Sequence, residues 1–135
     1  MDPLVGQLMI VAFNFAPPGW LLCDGSAYQV NQYQALYALL ANRYGGNAGV
    51  TFCVPDLRGR FPMGQGAGNG LAPIVLGQTG GSASITPQPA SINVGSGSNE
   101  IIYANPAVAQ NNLPPYVALN FIICANGIWP DNPNY

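Results

Sequence analysis

The sequence contains no histidine and no lysine. Histidine is the commonest general base and metal ligand, so its absence removes the usual catalytic triads and imidazole metal sites. Without lysine there is no Schiff-base chemistry and no cation to hold the phosphates of a P-loop nucleotide. Charge is scarce altogether. Three arginines and five acids make up 6% of 135 residues, where an ordinary soluble domain carries about 25%. Three cations at a net charge of −2 cannot neutralise a run of phosphates, so nucleic acid is excluded as a partner. Polybasic clusters and basic amphipathic helices are also missing, and with them a membrane-surface role. The longest apolar runs, Leu8 to Phe13 and Val117 to Ala125, fall far short of the ~20 residues that cross a bilayer, so no membrane insertion is expected. Met1-Asp2-Pro3 lacks a basic n-region, so no secretory signal is expected. The cysteines, Cys23, Cys53 and Cys124, are odd in number and form no CxxC pair. That pattern argues against a zinc site and a full disulfide framework, and leaves either one bridge with a free thiol or three buried thiols. Neither a metal nor a cofactor is expected.

What is present is an apolar fraction of 49%, 17 glycines and 13 prolines. The length suits one domain over residues 1–135, large enough to bury a core without staples. The nearly unbroken apolar run Val5 to Phe13 predicts a buried strand, ended by Ala16-Pro17-Pro18-Gly19. Trp20 to Cys23 predicts a second strand, closed by the turn pair Asp24-Gly25. One helix is predicted from Asn31, as N-cap, to Leu40, with Tyr33, Leu36, Tyr37 and Leu40 on one face. Asn42 and Gly45-Gly46 stop it. Thr51 to Phe61 predicts another extended segment. Beyond it, Gly64, Gly66, Gly68 and Gly70 alternate with small residues. Short strands are predicted at Ile74 to Leu76, Ser82 to Thr86, Ile92 to Val94 and Ile101 to Tyr103. Pro114-Pro115 precedes a strand with Val117, Leu119, Phe121 and Ile123 on one face. The fold class is α+β, mainly β, with one amphipathic helix and a glycine-rich second half. A surface with so little charge also favours association of copies, since charge is what keeps monomers apart.

Few constellations are left to carry chemistry. Gly64 to Gly70 has the look of a nucleotide loop, but no lysine or helix follows it, and a packed turn is the simpler reading. The acids, Asp2, Asp24, Asp56, Glu100 and Asp131, are the only material for a carboxylate pair. Asp24 sits in a turn where its side chain serves the local backbone, and Asp56 lies two residues from Arg58 and is expected to be ion-paired. No enzyme is expected. In Pro55-Asp56-Leu57-Arg58-Gly59-Arg60, an extended backbone places Asp56, Arg58 and Arg60 on one face. Two readings stand: a ligand or subunit contact gripped by guanidinium forks, or a partly buried ion-pair cluster that fixes the fold around Leu57 and Phe61. Trp20 and Trp129, with Tyr28, Tyr103 and Tyr135, offer stacking surfaces for sugars or, alternatively, core side chains.

Taken in order, several segments resemble one family. They are Gly6-Gln7, Phe13 to Pro17, Gly19-Trp20-Leu21-Leu22-Cys23-Asp24-Gly25, Arg43-Tyr44-Gly45-Gly46, Thr51-Phe52, Pro55 to Arg60, Leu76-Gly77-Gln78, and Leu113 to Ile128 around Pro114-Pro115-Tyr116 and Ala118 to Ile123. The chain resembles the phage tail collar domain family, whose bacterial members include microcystin-dependent-type proteins. The resemblance implies a compact, non-enzymatic module of tail fibres, collars or extracellular appendages, commonly trimeric. Relatives often carry a proline-linked histidine pair that can hold a metal. Gln88-Pro89-Ala90-Ser91-Ile92-Asn93 stands at that place here, so the metal role does not carry over. The expected function is a structural, self-assembling subunit of a phage tail, tail-like fibre or extracellular filament, extracellular or virion-associated. Its partner is then its own copies, as a homotrimer or filament, through Asp56, Arg58 and Arg60. The alternative is an adhesin at a fibre tip that binds a surface glycan or receptor through Trp20 or Trp129.

Overall fold

A computed structural model describes residues 2–86 and 108–134. The described chain is mainly β, with a single α-helix and small antiparallel sheets, in the α+β class that the sequence predicts. In chain order the elements are β1 (Leu8–Val11), β2 (Trp20–Leu22), β3 (Ala27–Gln29), a 3-10 turn (Val30–Gln32), α1 (Gln34–Leu40), β4 (Thr51–Cys53), β5 (Ser84–Ile85), β6 (Gln110–Asn111) and β7 (Asn120–Cys124). Two compact units are present. One comprises Met1–Gln78 with Ala118–Tyr135, and the other Thr79–Val117. The strands predicted at Ile92 to Val94 and Ile101 to Tyr103 lie outside the described residues.

In the first unit, β7 is the centre of a three-stranded sheet ordered β1-β7-β2, both neighbours antiparallel. Leu8 to Val11 pair with Ile123 back to Asn120, and Trp20 to Leu22 with Cys124 back to Ile122. β7 is paired along both edges, and the consecutive residues Ile122, Ile123 and Cys124, which point to alternate faces, are all buried, so both faces of the strand are covered there. The alternating face predicted from Val117 therefore holds only from Phe121 inward. Val117 is 85% exposed and lies before the strand begins. β1 differs from expectation more sharply. The run reads as buried by composition, yet only Val5 and Val11 are buried, and β1 is an edge strand.

The core gathers Val5, Cys23, Leu36, Phe52, Val54, Ile123 and Ala125. Leu36 is the buried residue of α1, with Tyr33, Tyr37 and Leu40 packed around the core, as the helical spacing predicts. Asn31 does not cap the helix. It lies in the preceding 3-10 turn, and Tyr33, in an open conformation, stands at the N-cap without a side-chain bond. The C-terminal end is tied more firmly. Arg43 donates from its guanidinium to the Leu39 carbonyl at 2.8 Å, meeting one of the helix's orphan acceptors. Asn42 donates to the carbonyls of Gly45 and Thr51 at 3.1 and 2.9 Å and accepts from the Tyr37 hydroxyl at 3.1 Å. That hub folds the helix end back onto β4, and Gly46 permits the close approach. Its φ is +102°, and a Cβ there would lie 2.6 Å from the Phe52 Cα. β4 pairs with β3, which puts Tyr28 opposite Phe52.

In the second unit, β5 and β6 form a two-stranded antiparallel pair, with Ser84 opposite Asn111 and Ile85 opposite Gln110. Asn112 extends the ladder through its backbone N–H to the Ala83 carbonyl.

Candidate functional site

Pro55 is buried behind β4, and Asp56 forms an isolated antiparallel bridge with Asp24. The Leu57 N–H donates to the Cys23 carbonyl at 3.0 Å, which anchors the segment to the turn after β2. Asp24 accepts from the Ser26 N–H at 3.1 Å, the local role its turn position predicts. The extended course ends at Leu57. Gly59 adopts φ +67°, the Arg60 N–H returns to the Leu57 carbonyl, and a tight turn results. The expectation that Asp56, Arg58 and Arg60 share one face of a strand is therefore corrected. The turn gathers both arginines on one carboxylate instead.

Arg58 grips Asp56 with two parallel bonds, Nε to Oδ1 at 2.8 Å and Nη2 to Oδ2 at 2.9 Å. Arg60 Nη1 stands 3.7 Å from Oδ2. The side chains of Arg58, Arg60 and Asp56 are 71%, 49% and 32% exposed, so the arginines are open to solvent and the carboxylate between them is half-buried. The bond from Arg58 holds the Asp56 carboxyl down, from 3.8 to about 2, and raises the Arg58 guanidinium in turn. A carboxyl held ionised in this way has no proton to donate near neutrality and both oxygens engaged, which makes it a poor general acid or base. Beside the cluster is an open hollow of about 220 Å³, lined by Leu22, Asp24, Leu57, Arg58, Asn120 and Phe121 among others.

The two tryptophans are differently placed. Trp20 is half-buried in β2 beside β7, whereas Trp129 is 47% exposed. Trp129 lines a second hollow of about 480 Å³ with Leu39, Pro130, Asp131 and Asn132. Tyr28 belongs with the core, edge-on to Tyr33 at 5.4 Å, and burial pushes its hydroxyl pKa up. Tyr103, Tyr135 and Glu100 lie outside the described residues, as does the stretch Gln88 to Asn93. All three thiols are free. Burial raises Cys23 to about 12, with Asp24 adding to it, and also raises Cys124.

The Phage Tail Collar Domain family model matches residues 6–62. That stretch, under half of the chain, is similar to the phage tail collar domain family. The matched segment runs from the turn before β1 through β4 to the arginine turn, and includes Asp56, Arg58 and Arg60. β7 lies beyond it, so the collar segment's β1 and β2 are joined into a sheet by a strand from the C-terminal part. The family-like segments Leu76-Gly77-Gln78 and Leu113 to Ile128 are also outside the match. Protein RhiB of Rhizobium leguminosarum bv. viciae is similar, at 43% identity over 58 residues. That alignment covers 41% of this chain and 26% of RhiB, so the chain spans about a quarter of its relative.

Sequence reasoning missed two features. Asn42 reads as a mere helix stop but is the hub that closes α1 onto β4. The segment after Arg60 reads as turns and short strands. In the structure its residues 61–78 are exposed except Ile74 and Gly77, which are half-buried, and a single bridge joins Gly66 to Ile74.

Proposed function

We propose that this chain is a structural, self-assembling subunit of a phage tail, tail-like fibre or extracellular filament, virion-associated or extracellular, and performs no reaction of its own. The similarity of residues 6–62 to the collar domain family is the observation that carries this reading, because that family supplies structural parts of phage tails. The ionised, doubly bonded Asp56 carboxylate supports it, since the most charge-rich corner of the molecule is built as a clamp rather than a proton-transfer site. Asp56, Arg58 and Arg60 then act as assembly contacts. Arg58 and Arg60 keep outward N–H groups that a neighbouring copy's carbonyls or carboxylates can accept from.

The test is mass and shape in solution, by light scattering after size exclusion and negative-stain images of the same fractions. Discrete trimers or regular fibres are expected. A clean monomer at high concentration refutes the reading. A second reading, a glycan-binding module, is favoured by one observation: Trp129 lies open beside Asp131 and Asn132. An indole face with hydroxyl-binding neighbours is the chemistry that holds a sugar ring. Under it, glycan binding is lost on Trp129→Ala while the fold is kept, and Trp20→Ala has a smaller effect.

A further inference from the structure

Two apolar surfaces of the first unit lie uncovered. One follows β1: Leu8, Met9, Ile10, Phe13 and Phe15 are 43%, 42%, 56%, 41% and 57% exposed. The other is the glycine-rich arm after the arginine turn, where Phe61, Met63, Leu71 and Val75 are 67%, 76%, 73% and 70% exposed, with Leu76 half-open. Both belong to the same compact unit, yet neither covers the other within one chain.

Resting on the self-assembly reading above, we infer that the arm, residues 61–78, of one copy docks on the β1 edge and its apolar face, residues 8–15, of a second copy. Charge selects the occupant. There is no charged residue between Asp2 and Asp24 or between Arg60 and Glu100, so neither surface offers a complement to nucleic acid, a charged headgroup or an acidic peptide. Each is matched by the other. β1 also lacks the usual protection of an open edge: residues 4–16 hold no proline and no charge that would deter a pairing strand.

Area agrees with this pairing. With ordinary side-chain areas of roughly 150–250 Å², the β1 surface leaves about 500 Å² and the arm about 650 Å² of apolar side chain in water. A standard stable interface buries about 1,600 Å² in total, of which about 900 Å² is apolar. Arm on face brings together about 1,150 Å² of apolar side chain, which reaches that figure. The contact joins unlike surfaces, so each copy gives one arm and receives another, and the result is a closed ring or an open filament.

The experiment uses the full chain and two surface variants. Leu71→Ser with Met63→Ser disables the arm, and Ile10→Lys disables the face. Phe15→Ser serves as a second face variant should Ile10→Lys disturb the fold. Each variant alone is expected to lose the assembled species and run at the 14.1 kDa of one chain. An equimolar mixture of arm and face variants is expected to recover a two-chain species and stop there, because such a pair has one intact contact and no second. Assembled wild type with unchanged variants overturns this pairing and leaves the self-assembly reading standing. Loss of assembly in each variant without recovery in the mixture overturns the arm-on-face geometry. A monomeric wild type overturns both.

Discussion

Replacing Gly46 by alanine places a methyl group where the chain leaves none room. A Cβ at that position would lie 2.6 Å from both the Phe52 Cα and the Thr51 carbonyl oxygen, and 2.9 Å from the Phe52 nitrogen. These are backbone atoms of β4, which cannot rotate aside, and Phe52 is fully buried. The backbone conformation adds to the cost. At φ +102° an L-residue with a Cβ is strained by about 1–3 kcal/mol. Relief requires the helix-end turn and β4 to separate, which stretches the Cys53 N–H bond to the Gly45 carbonyl and the Asn42 bond to the Thr51 carbonyl. Losing most of two such bonds costs about 1–2 kcal/mol more. The expected destabilisation is therefore about 4 kcal/mol. Gly49 is the control. Its φ is +79° and nothing lies within 4 Å of a Cβ, so alanine there costs only the left-handed penalty of about 1–2 kcal/mol. In urea, with a slope of about 2 kcal/mol/M, Gly46→Ala is expected to lower the unfolding midpoint by about 2 M and Gly49→Ala by about 0.5–1 M. Both variants are measured at one fixed protein concentration, because association of copies adds to apparent stability. If the two alanine variants lose equal stability, close contact with β4 is not what requires glycine at position 46.

Three further outcomes follow from the same geometry. Leu36→Ala, at the buried residue of α1, is expected to cost about 2–5 kcal/mol by urea or thermal unfolding, whereas a polar change at exposed Ala35 or Ala38 leaves stability within about 0.5 kcal/mol. The Asp56 carboxyl is depressed in the fold from 3.8 to about 2, so its contribution is complete above pH 4 and is lost as pH falls through about 2. Urea midpoints measured between about pH 5 and pH 2 should therefore fall less steeply in Arg58→Ala than in wild type, and superimposable acid limbs would contradict the clamp. In native protein at mildly alkaline pH, an alkylating reagent is expected to modify half-buried Cys53 before Cys23 and Cys124, which are buried and raised in pKa. Mass spectrometry of the digested protein reads the order, and all three thiols should react once the chain is unfolded.

Features that depend on local period and on residue type are legible in the sequence. The spacing of Tyr33, Leu36, Tyr37 and Leu40 places one helix and its buried face, because a 3.6-residue repeat leaves a single stripe to cover. Trp20 to Leu22 reads as a strand from its short apolar run closed by Asp24-Gly25, and Phe121 to Ile123 from a two-residue alternation. Lack of histidine and lysine and scarcity of charge bound the chemistry without any coordinates. Tertiary structure decided what depends on partners distant in the chain. Leu8 to Val11 and Asn120 to Ile123 meet across more than a hundred residues, and only that pairing makes β7 the covered centre and β1 an open edge. Composition alone reads β1 as core, because an apolar run carries no record of whether a second layer reaches it. β3, with the polar sequence Ala27-Tyr28-Gln29, is visible only as the partner of β4. The arginine cluster shows the same division. The sequence places two arginines beside one acid, but only the turn at Gly59, whose φ is +67°, brings Arg60 back toward the carboxylate that Arg58 grips.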